Sequence, residues 1–213
     1  VYIPIMAELS SDSEHRSFNK AFNKHFYLSS NICIAIGFLT LGLSHYLITI
    51  FGDQFEDSLK ILPLTIAFTV PSVSGSICAQ ALIGAGKMWY GLIISVINGL
   101  MLVIAGYFLI PIYLGIGMAF SYLITNIILL ILQLFMIQKL FGNIDIMKNI
   151  FTYIFLIILI LSAINYSYIY NHNLEIFFII ISILLLIRTI SNNLVFFTGL
   201  FHNIMGKYKL KKI

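Results

Sequence analysis

Charged residues are scarce in this sequence: Asp, Glu, Lys and Arg make up 9% of it, against about 25% in soluble domains. Hydrophobic residues make up 60% of the 213 residues, and the mean hydropathy is +1.01. So few charges cannot cover the surface of a soluble domain of this length. The composition excludes a soluble domain and predicts an integral membrane protein.

The sequence also lacks the residue patterns of common catalytic centres. No Asp or Glu lies well inside a long apolar stretch, and the five histidines show no metal-ligand spacing. A glycine-rich phosphate loop and a nucleophile elbow are both missing. Cys33 and Cys78 fall within apolar stretches, where thiols are typically small fillers rather than a disulfide. We therefore predict no enzyme activity, no catalytic residue, no metal site and no cofactor.

Long apolar stretches are abundant instead. A helix of about 20 residues crosses a hydrocarbon core roughly 30 Å thick. The apolar residues are continuous rather than alternating, which favours helices over the strands of a barrel. The six stretches, named helices A to F, are residues 26–51, 59–85, 88–111, 115–140, 149–170 and 174–198. They predict an all-α integral membrane protein with a six-helix transmembrane bundle.

The basic residues mark alternate joints between these stretches. Ten of the twelve Lys and Arg residues lie before helix A, between B and C, at the end of D or between D and E, or after F. The other joints contain Asp53, Glu56 and Asp57, or Glu175. By the positive-inside rule, the segment before helix A and the carboxyl terminus are cytoplasmic. This topology accounts for the net charge of +4, so no nucleic-acid partner is predicted.

The sequence divides into five predicted parts. The first is expected to be the end of a preceding transmembrane helix, and the second is a cytoplasmic amphipathic segment. A packed four-helix part, two peripheral transmembrane helices and a basic cytoplasmic tail follow. In that order the parts are residues 1–7, 8–25, 26–140, 141–200 and 201–213.

The segment 8–25 has one aromatic and one basic side. Phe18, Phe22 and Phe26 recur every four residues, and basic residues recur on the opposite side. Such a segment is predicted to lie along the cytoplasmic interface of the membrane. It is either a coupling helix or a linker anchored by aromatic residues and anionic lipid.

Helices B, C and D contain small residues at every fourth position, which E and F lack. The stripes include Gly75 in B, Gly99 in C and Gly117 in D. Small residues let helix backbones approach closely in lipid. We therefore expect B, C and D to pack as inner helices and E and F to face lipid on most sides.

Few polar side chains fall within the predicted spans: Gln80, Asn98, Asn126, Gln133 and Arg188. Of these, Arg188, Gln80, Asn98 and Asn126 are the candidate pathway residues. A polar group at membrane depth usually faces the bundle or a wet cavity. The Arg188 side chain either reaches a phosphate in a cavity or snorkels to the inner interface.

Helix B contains Pro63 and Pro71, each of which removes a helical hydrogen bond and predicts a kink. The kinks are either a bending point of a transport cycle or static features.

Four stretches resemble the carboxyl-terminal half of bacterial polysaccharide exporters, the lipid-linked oligosaccharide flippases of the multidrug/oligosaccharidyl-lipid/polysaccharide exporter superfamily. They are VYIPIMAELS, IFGDQFEDSLKILP, ALIGAGKMWYG and LIPIYLGIGMAFSYLITN, in this order within residues 1 to about 140. The resemblance implies one lobe of a two-lobed transporter of 12 or 14 helices in the bacterial cytoplasmic membrane. It also implies export of undecaprenyl-diphosphate-linked oligosaccharide for O-antigen or capsule synthesis by alternating access.

The expected partners are therefore the lipid-linked oligosaccharide, membrane lipids and other polysaccharide-assembly proteins. We expect an apolar groove between E and F to hold the polyprenyl chain, with Arg188 on the diphosphate. The alternatives are a multidrug exporter of the same superfamily and a membrane-embedded glycan polymerase or acyltransferase.

Overall fold

The chain is described by a computed structural model that covers residues 2–10, 16–52, 55, 58–142, 150–168 and 172–193. Nearly all of these residues are helical, and no strand occurs among them. The helices are α1 (Tyr2–Ser10), α2 (Arg16–Gly42), α3 (Ser44–Phe51), α4 (Ser58–Gly84), α5 (Met88–Phe141), α6 (Ile150–Tyr168) and α7 (His172–Asn192).

Within the described residues, four helical segments are long and apolar enough to cross a membrane: Ser17–Gly42, Ser58–Gly84, Met88–Phe141 and Leu174–Asn192. A shorter apolar segment, Ile154–Ile164, lies in α6. For the residues that the structure describes, the prediction of an all-helical fold with several helices long and apolar enough to span a membrane is thereby confirmed. Predicted helix A is divided between α2 and α3, which are separated only by Leu43.

Helix α5 consists of two arms, residues 88–113 and 115–141, that meet at Leu114. The backbone of Leu114 is not helical, with φ of 52° and ψ of −127°. A Cβ on Gly117 would collide with the carbonyl oxygen of Leu109, so residues on the two sides of the break lie against each other. Ile94 in the first arm and Leu130 in the second belong to the same buried cluster. The arms therefore fold back as a hairpin, and the break lies in the predicted joint between C and D.

Contacts between helices fix their relative directions. Helix α2 runs antiparallel to α7 and to α4, whereas α4 runs parallel to the second arm of α5. Helices α2 and α7 meet at Ala35–Ser182 and Gly42–Glu175. Helices α2 and α4 meet at Ser30–Ser74 and Gly37–Ile66. Helix α4 and the second arm meet at Ile61–Gly115 and Phe68–Tyr122. These directions match the alternation expected for consecutive spans.

The buried apolar residues form two clusters, one above the other along the bundle. Cluster 1 joins the second half of α2, the first half of α4, the start of the second arm, α6 and α7. Cluster 2 joins α1, the first half of α2, the end of α4, Ile94 and the end of the second arm. Since both clusters include α2, α4 and the second arm, these three elements form the spine of the bundle.

The aromatic stripe of the predicted amphipathic segment lies in cluster 2. Phe18, Phe22 and Phe26 are buried, and the ring of Phe18 stacks on Phe141 with centroids 4.1 Å apart. Residues 16–25 do not form a separate surface helix, because they are the first turns of α2. The stripe faces protein rather than the lipid interface, since the second arm ends beside it.

The small-residue stripes do not all lie at helix contacts. Gly75 packs against Gln133, and Gly117 lies at the hairpin. The expectation for helix C is wrong, because a Cβ on Gly91 or Gly99 would meet no atom within 4 Å. The first arm buries only Ile94 and Gly106, so its stripe faces outward.

Helices α6 and α7 have one buried face each, and most of their described residues are not buried, which agrees with the expectation that E and F are exposed on most sides. Leu159 of α6 and Phe178 and Leu185 of α7 are buried in cluster 1. Their opposite faces are exposed, as at Ile157 and Ile187. An all-aliphatic helix gives no signal of which face is buried, so the sequence did not reveal this packing. The division of the chain at residue 140 stays a prediction.

Candidate functional site

A layer of buried polar side chains lies between cluster 1 and cluster 2. We call Ser30, Asn31, Ser74 and Asn126 the polar layer; each is at most 7% exposed. The hydroxyl oxygens of Ser30 and Ser74 are 2.9 Å apart and hydrogen bonded, which joins α2 to α4. In both helices the layer occupies the residues between those of cluster 2 and those of cluster 1. The centre of the bundle is therefore polar but uncharged.

The two asparagines of the polar layer bond to their own helices. Asn31 Nδ2 donates to the carbonyl oxygen of Tyr27 at 2.7 Å, and Asn126 Nδ2 donates to that of Tyr122 at 2.8 Å. Both are bonds to the preceding turn, which satisfy a donor where water is scarce. Asn126 is thus the one predicted pathway residue within the polar layer.

Pro63 and Pro71, at which kinks were predicted, both lie inside α4 and are buried. Pro71 stands one turn before Gly75 and is next to the polar layer along the chain. A proline there leaves the carbonyl of Ala67 without its usual helical hydrogen bond. Helix α4 is therefore weakest where it passes between the two clusters.

Gln133 in the second arm lies against α4 beside the polar layer. Its side chain is 4% exposed, and its Oε1 is buried and accepts no hydrogen bond from the described residues. This oxygen lies 2.8 Å from the point that a Cβ on Gly75 would occupy. An amide in this position is unusual, because a buried acceptor normally has a donor.

The other two predicted amides lie outside the polar layer. Asn98 is half-buried in the first arm, and its Oδ1 is buried without a hydrogen bond from the described residues. Gln80 is half-buried in α4, in the stretch that contributes to cluster 2. Within the described part of the chain, no hydrogen bond joins Gln80, Asn98 and Asn126 to one another.

Arg188 borders an apolar pocket between α6 and α7. The pocket has a volume of about 120 Å³ and is lined by Phe155, Ile181, Leu184, Leu185 and Arg188. Arg188 is the one charged residue in this lining, and its side chain is exposed. The pocket lies where the sequence predicted a groove between E and F, and it places a guanidinium beside an apolar surface.

Glu175 is a buried acidic residue that was predicted to lie in the joint before helix F. It is 1% exposed and lies in the first turn of α7. Its carbonyl oxygen lies 2.8 Å from the position of a Cβ on Gly42, so the start of α7 packs directly on the end of α2. An acidic side chain is favourable in a first helical turn because of the helix dipole.

The sequence does not predict the polar layer. Ser30 and Ser74 lie in apolar helices, where serine is equally typical of close helix packing. Their pairing depends on α2 and α4 crossing at these residues, and one sequence does not show that crossing. In the described part of the chain, no three His, Cys, Asp or Glu side chains are grouped to hold a metal ion.

Models of known protein families, curated proteins and solved structures were compared with the chain, and none of them matches it. The assignment of a function therefore depends on the residues and on their geometry.

Proposed function

We propose that this protein is the carboxyl-terminal lobe of a bacterial exporter that flips undecaprenyl-diphosphate-linked oligosaccharide across the cytoplasmic membrane. Two lines of support come from the sequence: four ordered stretches that resemble this family, and basic residues on alternate joints. Long apolar helices in the structure add a third. The product of such export supplies O-antigen or capsule synthesis, whose other membrane proteins are the proposed partners.

The proposal includes six membrane spans. These are α2 with α3, α4, the two arms of α5, α6 and α7. The hairpin at Leu114 separates the two arms, and the antiparallel pairing of α2 with α7 fits an even number of spans between them, here α4, the two arms of α5 and α6. In the family, the second lobe supplies the remaining helices, for a total of 12 or 14.

The observation that carries the proposal is the position of Arg188 beside the apolar pocket. A polyprenyl diphosphate has an apolar chain and a compact doubly charged group at its end. An apolar pocket between helices suits part of the chain, and a guanidinium pairs with phosphate oxygens through two parallel hydrogen bonds. The two features lie side by side, as the two parts of this lipid require.

The polar layer supports the same proposal. Its side chains are hydroxyls and amides, and none of its four members carries a charge. Neutral sugars are bound through hydrogen bonds to such groups, whereas a proton relay through the membrane uses Asp, Glu or His. An uncharged polar centre therefore fits an oligosaccharide cargo.

A multidrug exporter of the same superfamily is the second candidate, and the buried Glu175 is the observation in its favour. A carboxylate held away from water attracts a cationic drug or a coupling cation. Exchange of Glu175 for Gln separates the two functions: drug export needs the charge, whereas oligosaccharide export is expected to continue.

The test of the proposed function replaces Arg188 by Lys and by Gln in cells that depend on this protein for surface polysaccharide. Arg188→Lys keeps a charge and the ability to snorkel but loses the paired donors, so export is expected to fall at least about tenfold, the loss of one strong charge-assisted bond. Insertion into the membrane should be unchanged. Lys139→Gln, which removes an exposed basic residue at the end of α5, is the matched control. Export at the unmodified rate in both Arg188 variants would contradict the role of Arg188.

A further inference from the structure

Gln133 and Gly75 form a contact in which a polar group meets an apolar surface. The side-chain oxygen of Gln133 is directed at the bare backbone of Gly75, and a Cβ there would lie only 2.8 Å from it. The backbone N–H groups of this part of α4 are bonded within the helix, so glycine offers the amide no donor. In the closed contact, this oxygen accepts no hydrogen bond from any residue that the structure describes.

A second polar contact lies on the adjacent face of α4. Ser74 precedes Gly75 in the chain, and its hydroxyl pairs with Ser30 of α2. Two hydroxyls that share one hydrogen bond retain one further hydrogen to donate. Polar groups with spare bonding capacity therefore flank α4 on two sides at residues 74 and 75.

Helix α4 is firmly packed on both sides of this region. Before Pro71, the ring of Phe68 stacks on Tyr122 with centroids 5.2 Å apart and planes at 23°. After Gly75, Ile77 and Leu82 are buried in cluster 2. Only the stretch with Pro71 and Gly75 combines a missing helical hydrogen bond with polar contacts, which makes it the point where α4 bends most easily.

We propose that α4 and the second arm of α5 separate at the Gly75–Gln133 contact, that the opening admits water, and that this water donates a hydrogen bond to Gln133 Oε1. The closed state lacks this bond and the open state gains it, so Gln133 lowers the free energy of opening. Gln133 thereby favours the formation of a hydrated path beside the polar layer. The inference does not depend on which substrate the protein carries.

The test measures opening directly, on purified protein in lipid nanodiscs. Ala79 lies one turn after Gly75 on the same face of α4 and is half-buried. In a chain with Cys33→Ala and Cys78→Ala, Ala79→Cys supplies one thiol for a water-soluble maleimide. The thiol is expected to react below the melting temperature, because the opening exposes it to water.

Gln133→Met keeps the length of the side chain and removes its polar end. It is expected to slow labelling roughly fivefold or more through a lower population of the open state, and to raise the melting temperature. Gly75→Ala pushes the amide out of the closed contact and is expected to speed labelling. Gln138→Met, at an exposed glutamine of the same arm, should change neither value.

Three results would overturn the inference. The first is a lower melting temperature in both Gln133→Met and Gln133→Leu, which would show that the amide is satisfied in the closed state. The second is an unchanged labelling rate in Gln133→Met. The third is absence of labelling at Ala79→Cys in the parent chain.

Discussion

The hydroxyl of Ser182 in α7 donates a 2.8 Å hydrogen bond to the carbonyl oxygen of Ala35 in α2, across 147 positions of the sequence. One turn away, the rings of Phe38 and Phe178 lie 6.0 Å apart. Both contacts lie on the antiparallel face between the first and the last of the long helices. The last helix is therefore fixed to the bundle by a polar and an aromatic contact rather than by lipid alone.

The first prediction concerns the tightest point of this α2–α7 face. A Cβ on Gly42 would lie 2.6 Å from Ile179 Cγ1 and 2.8 Å from the backbone oxygen of Glu175. Gly42→Leu is expected to push α7 away at a cost of about 3 kcal/mol, the upper range for overpacking. Thermal unfolding in detergent measures this loss of stability.

Gly99→Leu is the control for this prediction, because the same construction at Gly99 meets no atom within 4 Å. It should change the free energy of unfolding by no more than about 0.5 kcal/mol, the scatter of surface substitutions. Equal losses at Gly42 and Gly99 would refute the packing described for α7 and for the first arm.

The sequence predicts the helices well because length and hydropathy are local properties. The break between helices C and D was predicted at its observed place, since Pro111 and the glycines 115 and 117 interrupt the pattern there. The sequence does not predict which face of each helix is buried. Gly99 and Gly75 belong to equivalent stripes, yet only Gly75 lies at a helix contact.

The candidate site was predicted only in part, and the reason is again physical. Arg188 and Asn126 were recognised because a guanidinium or amide within an apolar stretch is rare. Glu175 was assigned to a joint because it lies near the start of a helix, and its burial, where α7 packs on α2 at Gly42, is a tertiary feature that the sequence does not show. The Ser30–Ser74 bond depends on the crossing of α2 and α4 at two residues that are 44 positions apart in the sequence.

The second prediction tests the membrane topology. Phe55 follows helix A and is exposed, and Lys87 lies exposed between helices B and C. With membrane-impermeant maleimide added outside intact cells, a cysteine at Phe55→Cys should be labelled and one at Lys87→Cys should not. Permeabilised cells serve as the control, because both positions should then react. The reverse pattern in intact cells would invert the orientation derived from the basic residues.

The third prediction decides between the two roles expected for a bend at Pro71, a bending point of the transport cycle or a static feature. Pro71→Ala restores the donor for the Ala67 carbonyl, and Ala is about 3 kcal/mol more favourable than Pro inside a helix. We expect a higher melting temperature together with slower export. Pro63→Ala, in the second turn of α4, is expected to affect export less. A rise in melting temperature with unchanged export would make the kink static.

The central claim is that the protein moves a lipid-linked oligosaccharide between leaflets, and reconstitution in vesicles tests it most directly. Fluorescent undecaprenyl-diphosphate-oligosaccharide is placed in one leaflet, and a membrane-impermeant quencher reports its arrival in the other. We predict transfer that requires the protein and falls at least about tenfold with Arg188→Gln. Transfer no faster than in protein-free vesicles, under conditions that give correctly oriented, folded protein, would contradict the account.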